Sequence, residues 1–345
     1  MGIIYNNFVS YNHACNIIPP KDLKLLGNIT QDSYADIILN NTFVIFISIE
    51  KITYLIYCST ENSIICFNLE NNQKINEIKN HHEDNITNFK HYLDKNKKRD
   101  LIMTISLNDN NIRIWNIIDW ECITNIKNVN KSGYLYSACF LFNNNSIYII
   151  SSNLNLLNIS EPIKIFDLKG KQIDEFKDSN DITYIIEQYY DSNLSINFII
   201  SGNLGFIKSY DFNSKKLYYK YYDTNNGIHL SVLIYQTSKI VLLIESCFDG
   251  YISIWNFHSG QIINKIKICK WLTSLCLWDS DILFVGCYDK SIKIIDIKNN
   301  KIIKKLEGHK DWVLTIKSIN HPKYGKCLLS QGRGKDQIKM WINGN

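Results

Sequence analysis

Three groups of polar residues have side chains suited to chemistry. His81-His82-Glu83-Asp84 puts two imidazoles and two carboxylates into four residues, the donor types that hold a divalent metal. They fall in a polar connector with no converging partner, so a solvated loop is expected and no metal. Gly332-Arg333-Gly334-Lys335 superficially resembles a phosphate-binding loop. It lacks the leading glycine spacing, a following Ser or Thr, and a helix behind it, so a tight turn is expected. Ten cysteines contain no C-x-x-C pair, and Cys58, Cys66, Cys139 and Cys276 sit inside apolar runs. They read as reduced core thiols rather than a zinc or disulfide framework. H-E-x-x-H, G-x-S-x-G and the dinucleotide glycine fingerprint are all missing. The chain is expected to be non-catalytic, with no cofactor and no metal.

The elements around these residues are legible as a repeat. Residues 247–263, CFDGYISIWNFHSGQII, give a turn at Asp249-Gly250 and an alternating strand into Trp255. A second turn at His258-Ser259-Gly260 follows, and then another strand. The frame recurs at residues 64–69 (IICFNL), 112–117 (IRIWNI), 163–168 (IKIFDL), 207–212 (IKSYDF), 252–257 (ISIWNF), 292–297 (IKIIDI) and 338–342 (IKMWI). Its anchors are Phe67, Trp115, Phe166, Tyr210, Trp255, Ile295 and Trp341, spaced 40 to 51 residues apart. Periods near 40–45 residues with four short strands each indicate propeller blades. The expected fold is all-β, a seven-bladed β-propeller of four-stranded antiparallel blades.

The chain here resembles the WD-repeat (WD40-type) β-propeller family. The resemblance rests on Gly308-His309, Trp312-Val313 and Trp341 at the end. Asp109, Asp249 and Asp289 add to it, each six residues before its anchor. It spans roughly residues 33–345. The family's His, turn Asp, strand Ser/Thr and Trp form a structural hydrogen-bonded network, which the resemblance carries to His309, Ser330 and Trp341. Lys335 stands in the Asp slot, with Asp336 one place late. The resemblance also implies a scaffold that holds protein partners in a larger assembly. A ubiquitin-ligase substrate receptor is the alternative. Such receptors carry an Arg two residues after the Asp of the Trp-Asp pair, where this chain has Ile118 and His258.

The chain stops four residues after Trp341, too soon for the outer strand of its own last blade. An unclosed propeller would expose a sheet edge. An N-terminal segment is therefore expected to complete that blade, residues 33–39 first and 24–29 second, with 1–32 as an extension before a 33–345 propeller. The residue before each innermost strand should rim the central channel. The alignment gives Phe43, Asn85, Tyr134, Asp181, His229, Trp271 and Trp312. Aromatic faces with one carboxylate suit a cationic peptide side chain. Lys293, Lys298, Lys301, Lys304, Lys305 and Lys310 form a second candidate surface, for acidic protein, lipid headgroups or nucleic acid. Residues 94–100 (DKNKKRD) read as a solvated loop. The apolar turn 153–162 could pack over its blade or meet a partner.

Composition sets the outer bounds. Apolar residues are 45% and charged residues 21%, which suits a folded globular chain. Asn fills many turns in place of Gly, because it tolerates left-handed backbone. The net charge of +5 comes almost wholly from Lys, with Arg only at 99, 113 and 333. Lys reads phosphates and base edges poorly in bidentate fashion, which disfavours nucleic acid. No signal peptide, myristoylation motif or membrane span is read, so a cytoplasmic protein is expected.

Overall fold

A computed structural model describes residues 23–35, 41–79, 81–84, 86–130, 134–152, 161–222 and 227–343. They form twenty-eight strands in seven four-stranded antiparallel sheets. No helix among the described residues is long and apolar enough to cross a membrane. Six blades are consecutive meanders spanning residues 43–78, 86–126, 138–176, 183–222, 229–267 and 272–306. The seven anchors all lie on third strands, Phe67 through Trp341. Their alternation puts one row of side chains between neighbouring blades, where apolar clusters such as Phe46, Ile56, Phe89, Ile102 and Trp115 bury them. Asn supplies left-handed turn backbone at Asn62, Asn72, Asn110, Asn144, Asn145 and Asn300. The cost of that conformation is smallest for Gly and Asn.

The ring closes through Leu23–Asn28, which pairs antiparallel with Lys339–Asn343 in the order outer, third, second, first. The expected segment 33–39 does not serve as that strand. Leu23 is 1% exposed and packs with Trp278, Ile294, Leu306 and Trp341, which fixes the register of the earlier segment. The next residues carry the chain back inward. Thr30 and Ser33 hydroxyls accept from the Ile338 N–H, Tyr34 N–H donates to Cys58 O, and Ala35 bridges Gly334. Part of the supposed extension is thus the outer strand of blade seven. Residues 36–39 lie outside the described residues, as do Asn85 and the turn 153–160.

Candidate functional site: an arc of stacked rings on one face

In five blades the innermost and second strands shift register by one residue near the start of the inner strand, at Ile86/Asn88, Thr183/Ile185, His229/Ser231, Leu272/Ser274 and Val313/Thr315. Such a bulge re-aims the side chains beside it. The residue just before the inner strand accepts, through its carbonyl, the N–H of the residue just after the second strand. This pairs Ile228 with Phe248, Trp271 with Tyr288, and Trp312 with Arg333, at 2.8 to 3.1 Å. Consecutive blades then interleave these side chains.

Phe248 stacks on Trp271 at 5.3 Å and 14°, and Tyr288 meets Trp271 edge-on at 4.2 Å and 77°. Tyr288 packs on Trp312 at 3.7 Å, and Arg333 lies 4.7 Å over the Trp312 ring. Five side chains from blades five, six and seven form one partly exposed row.

The sequence-derived ring is therefore an arc. Trp271 and Trp312 lie in it, joined through Tyr288. Phe43 is fully buried between blades one and seven. His229 pairs in register with Cys247, as Leu272 does with Cys287, so it is a strand residue and Ile228 holds the rim position. A one-residue slip in a strand reverses the face, and it turns His229 inward. There its Nδ1 lies 2.8 Å from Glu245 Oε2, both groups buried. The Asp181 carboxylate is engaged by Lys208, and partly buried Tyr134 offers its carbonyl to Asn130 Nδ2. Tyr136 and Tyr184, two positions after Tyr134 and three after Asp181, pair edge-on at 5.6 Å instead. Phe248, Tyr288 and Arg333 were missed because they follow second strands. The parallel strings Cys247-Phe248-Asp249-Gly250 and Cys287-Tyr288-Asp289-Lys290 were the available signal.

Lys270 lies 4.7 Å over Trp271, and exposed Lys290, Lys310 and Lys335 sit in the same connectors as Asp249, Asp289, Glu307 and Asp311. Within the channel, Lys90 of blade two pairs with Glu187 of blade four. Lys317 lines the same cleft as Asn41, Glu187, Ser231, Ser274 and Thr315. Burial, with Lys90 adding to it, pushes the Lys317 ammonium down to about 8. The second candidate surface is broken up. Lys293 is buried against Asp289, Lys304 donates to the Leu23 carbonyl, and Lys305 pairs with Glu307. Lys298, Lys301 and Lys310 remain exposed.

Two blades carry a buried four-residue network. In blade seven His309 Nδ1 lies 2.8 Å from Asp336 Oδ2 and its Nε2 2.6 Å from Ser330 Oγ, to which Trp341 Nε1 donates at 2.7 Å. Asp336 rather than Lys335 fills the carboxylate position. In blade two His82, Asp109, Thr104 and Trp115 repeat this geometry at 2.6, 3.0 and 2.9 Å. The His81–Asp84 cluster is thus not a solvated loop throughout, since both histidines are buried and only Glu83 is well exposed.

Blades three, four and six lack that histidine, and a lysine two residues before the anchor ties the same connector. Lys164 Nζ donates to Val129 O at 2.6 Å, Lys208 Nζ to Asp178 O at 3.5 Å, and Lys293 Nζ to Ile268 O at 3.5 Å. Residues 94–100 are likewise mixed. Lys95 to Lys98 make an exposed turn, whereas Asp94 pairs with Arg99, and Asp100 bonds His91 and the Ile49 N–H.

These features define the chain as a seven-bladed propeller. No group of three or more metal-ligating side chains occurs among the described residues. No family model matches the chain. It is similar over 69 residues, at 30% identity, to the U3 small nucleolar RNA-associated protein 21 homolog of Schizosaccharomyces pombe, covering 20% of this chain and 8% of that protein. A 92-residue stretch is 24% identical to autophagy-related protein 16 of Arabidopsis thaliana, covering 26% and 18%. Another of 71 residues is 30% identical to myosin heavy chain kinase C of Dictyostelium discoideum, covering 21% and 9%. Each match spans less than a fifth of the relative's length. Together with the fold, these partial similarities suggest the WD-repeat family and a non-enzymatic scaffold, and the kinase is only a distant match.

Proposed function

We propose that this chain is a WD-repeat-type interaction platform that captures an extended acidic segment of a partner protein on the arc from Phe248 to Arg333. The single observation that carries this reading is the continuous row Phe248–Trp271–Tyr288–Trp312–Arg333, partly exposed at the connector face of three adjacent blades. Rigid rings on a rigid sheet contribute contact area with little ordering entropy, as binding hot spots do. The charges select the partner. Lys270 and Arg333 already cover Trp271 and Trp312, and Lys290, Lys310 and Lys335 are exposed in the connectors beside them. An acidic peptide complements this arc better than the cationic one that the sequence suggests, since Asp181 is held by Lys208.

The test is peptide display against the full chain, followed by titration of enriched peptides through tryptophan fluorescence. Enrichment of acidic, apolar-containing peptides is expected, with affinity falling as salt rises. Trp271→Ala with Trp312→Ala should abolish it while the melting curve changes little. Enrichment of basic peptides, or binding unaffected by the double substitution, overturns the proposal. A cytoplasmic location belongs to the same reading, supported by nine described cysteines that are all free.

A further inference from the structure

The five bulged inner strands stack their side chains in levels along the channel. The residues just after the bulge, Asn88, Ile185, Ser231, Ser274 and Thr315, occupy one level. Two positions further along each strand, on the same face, come Lys90, Glu187, Leu233, Cys276 and Lys317. This second level carries two ammoniums and one carboxylate. Lys90 pairs with Glu187 and neutralises it. Lys317 has no ion pair or hydrogen bond among the described residues, so one positive charge is left unbalanced.

A cavity of about 20 Å³ spans the two levels, and Ser231, Ser274, Thr315, Glu187 and Lys317 are among its walls. Ser231 Oγ accepts the Leu275 N–H at 3.2 Å, which leaves its own proton to donate. Ser274 is 3% exposed, and its Oγ has no hydrogen-bond partner among the described residues.

We propose that this cavity binds one small monovalent anion of halide size, held by the Lys317 ammonium and the Ser231 and Ser274 hydroxyls. Charge sets the sign of the guest. Glu187 is engaged by Lys90, so a cation would meet only the free ammonium, and a water would leave that ammonium unbalanced. Volume sets the size. The cavity has room for one guest about as large as a water molecule, which excludes phosphate and sulfate. Burial and Lys90 push the Lys317 ammonium down to about 8, a penalty that a bound anion offsets. The three holding groups come from the inner strands of blades five, six and seven, which also carry the arc. The ion thus fastens those three strands to one another from inside the channel.

The experiment has two arms, both on the full chain. Crystals soaked in sodium bromide should show an anomalous peak in the cavity, beside Lys317 Nζ. Melting curves in sodium chloride and sodium gluconate at equal ionic strength form the second arm. Chloride should raise the midpoint by about 1–3 °C and saturate, whereas gluconate, too large for the cavity, should not. Ser274→Ala should weaken the apparent chloride affinity roughly tenfold, and Lys317→Met should abolish the shift. No peak in the cavity, or equal midpoints in the two salts, overturns the proposal. A crystal peak without the shift in solution is an adventitious ion only, and overturns it as well. Should either variant misfold, the wild-type map and salt comparison decide. Neither readout involves a peptide, so failure here is distinct from failure of the platform reading.

Discussion

His82 Nδ1 lies 2.6 Å from Asp109 Oδ2, and the two residues are 27 positions apart, the same separation as His309 and Asp336 in blade seven. Trp115 and Trp341 each follow their hydroxyl partner by 11 positions. The inner and second strands are 9 and 8 residues long in both blades. A hairpin turn one residue longer in blade two is offset by a shorter exit to its aspartate, so blades two and seven carry two copies of one device. Each network stitches a connector to the second and third strands from inside, where water does not compete.

Thr104→Val keeps shape but removes the oxygen that both His82 Nε2 and Trp115 Nε1 use. Two buried groups then lose a partner, which costs about 1–3 kcal/mol. Ser330→Ala should cost a similar amount in blade seven, and the two changes should add because they share no partner. Urea denaturation of both single variants and the double variant measures this. Thr104→Ser, which restores the oxygen, should recover much of the loss.

Gly250 has φ +92, and a Cβ there would lie 1.6 Å from the Cys269 carbonyl oxygen. Gly325 has φ +68 with nothing within 4 Å of its added Cβ. Gly325→Ala should therefore cost only the left-handed backbone term, about 1–2 kcal/mol. Gly250→Ala should cost more, through displacement of the connector into blade six. Equal melting temperatures for the two variants would show that the connector yields freely.

His81 is 1% exposed, and burial, with His82 and Arg113 adding to it, holds its imidazole down to about 4. Its folded pKa is depressed below the unfolded value near 6.5, so between about pH 6.5 and 4 the unfolded chain binds more protons. His81 then favours the fold above pH 6.5, and that contribution is lost as pH falls toward 4. His309 acts in the same direction, lowered by burial against the opposing Asp336 contact. Stability measured at pH 7 and pH 5 should differ less in His81→Gln than in the wild type.

Deleting residues 1–28 removes the outer strand of blade seven and uncovers Trp341, Ile294 and Leu306, which pack on Leu23. Cooperative unfolding should be replaced by a broad, shallow transition, with the exposed edge promoting association. A variant that retains Leu23–Asn28 but carries Leu23→Asp should show a milder loss in calorimetry.

Blade number, strand order and the third-strand anchors were legible from residues 64 to 342, because alternation and turn residues are local properties of a chain. The expectation that an N-terminal segment completes the last blade was met in kind, since Leu23–Asn28 pairs with Lys339–Asn343. Which segment closes depended on Leu23 entering a pocket made by residues some 250 to 320 positions away. The arc was half visible. Trp271 and Trp312 could be named, whereas Phe248, Tyr288 and Arg333 join them only when a bulge in one strand and the exit of the next are set side by side. The I-K-I strings of blades three and six lie openly in the sequence, yet that Lys164 and Lys293 reach the Val129 and Ile268 carbonyls is a fact of the third dimension. Local periodicity follows from steric rules along the backbone. Partnership between distant side chains is set by register and packing, which the chain acquires only when its blades meet.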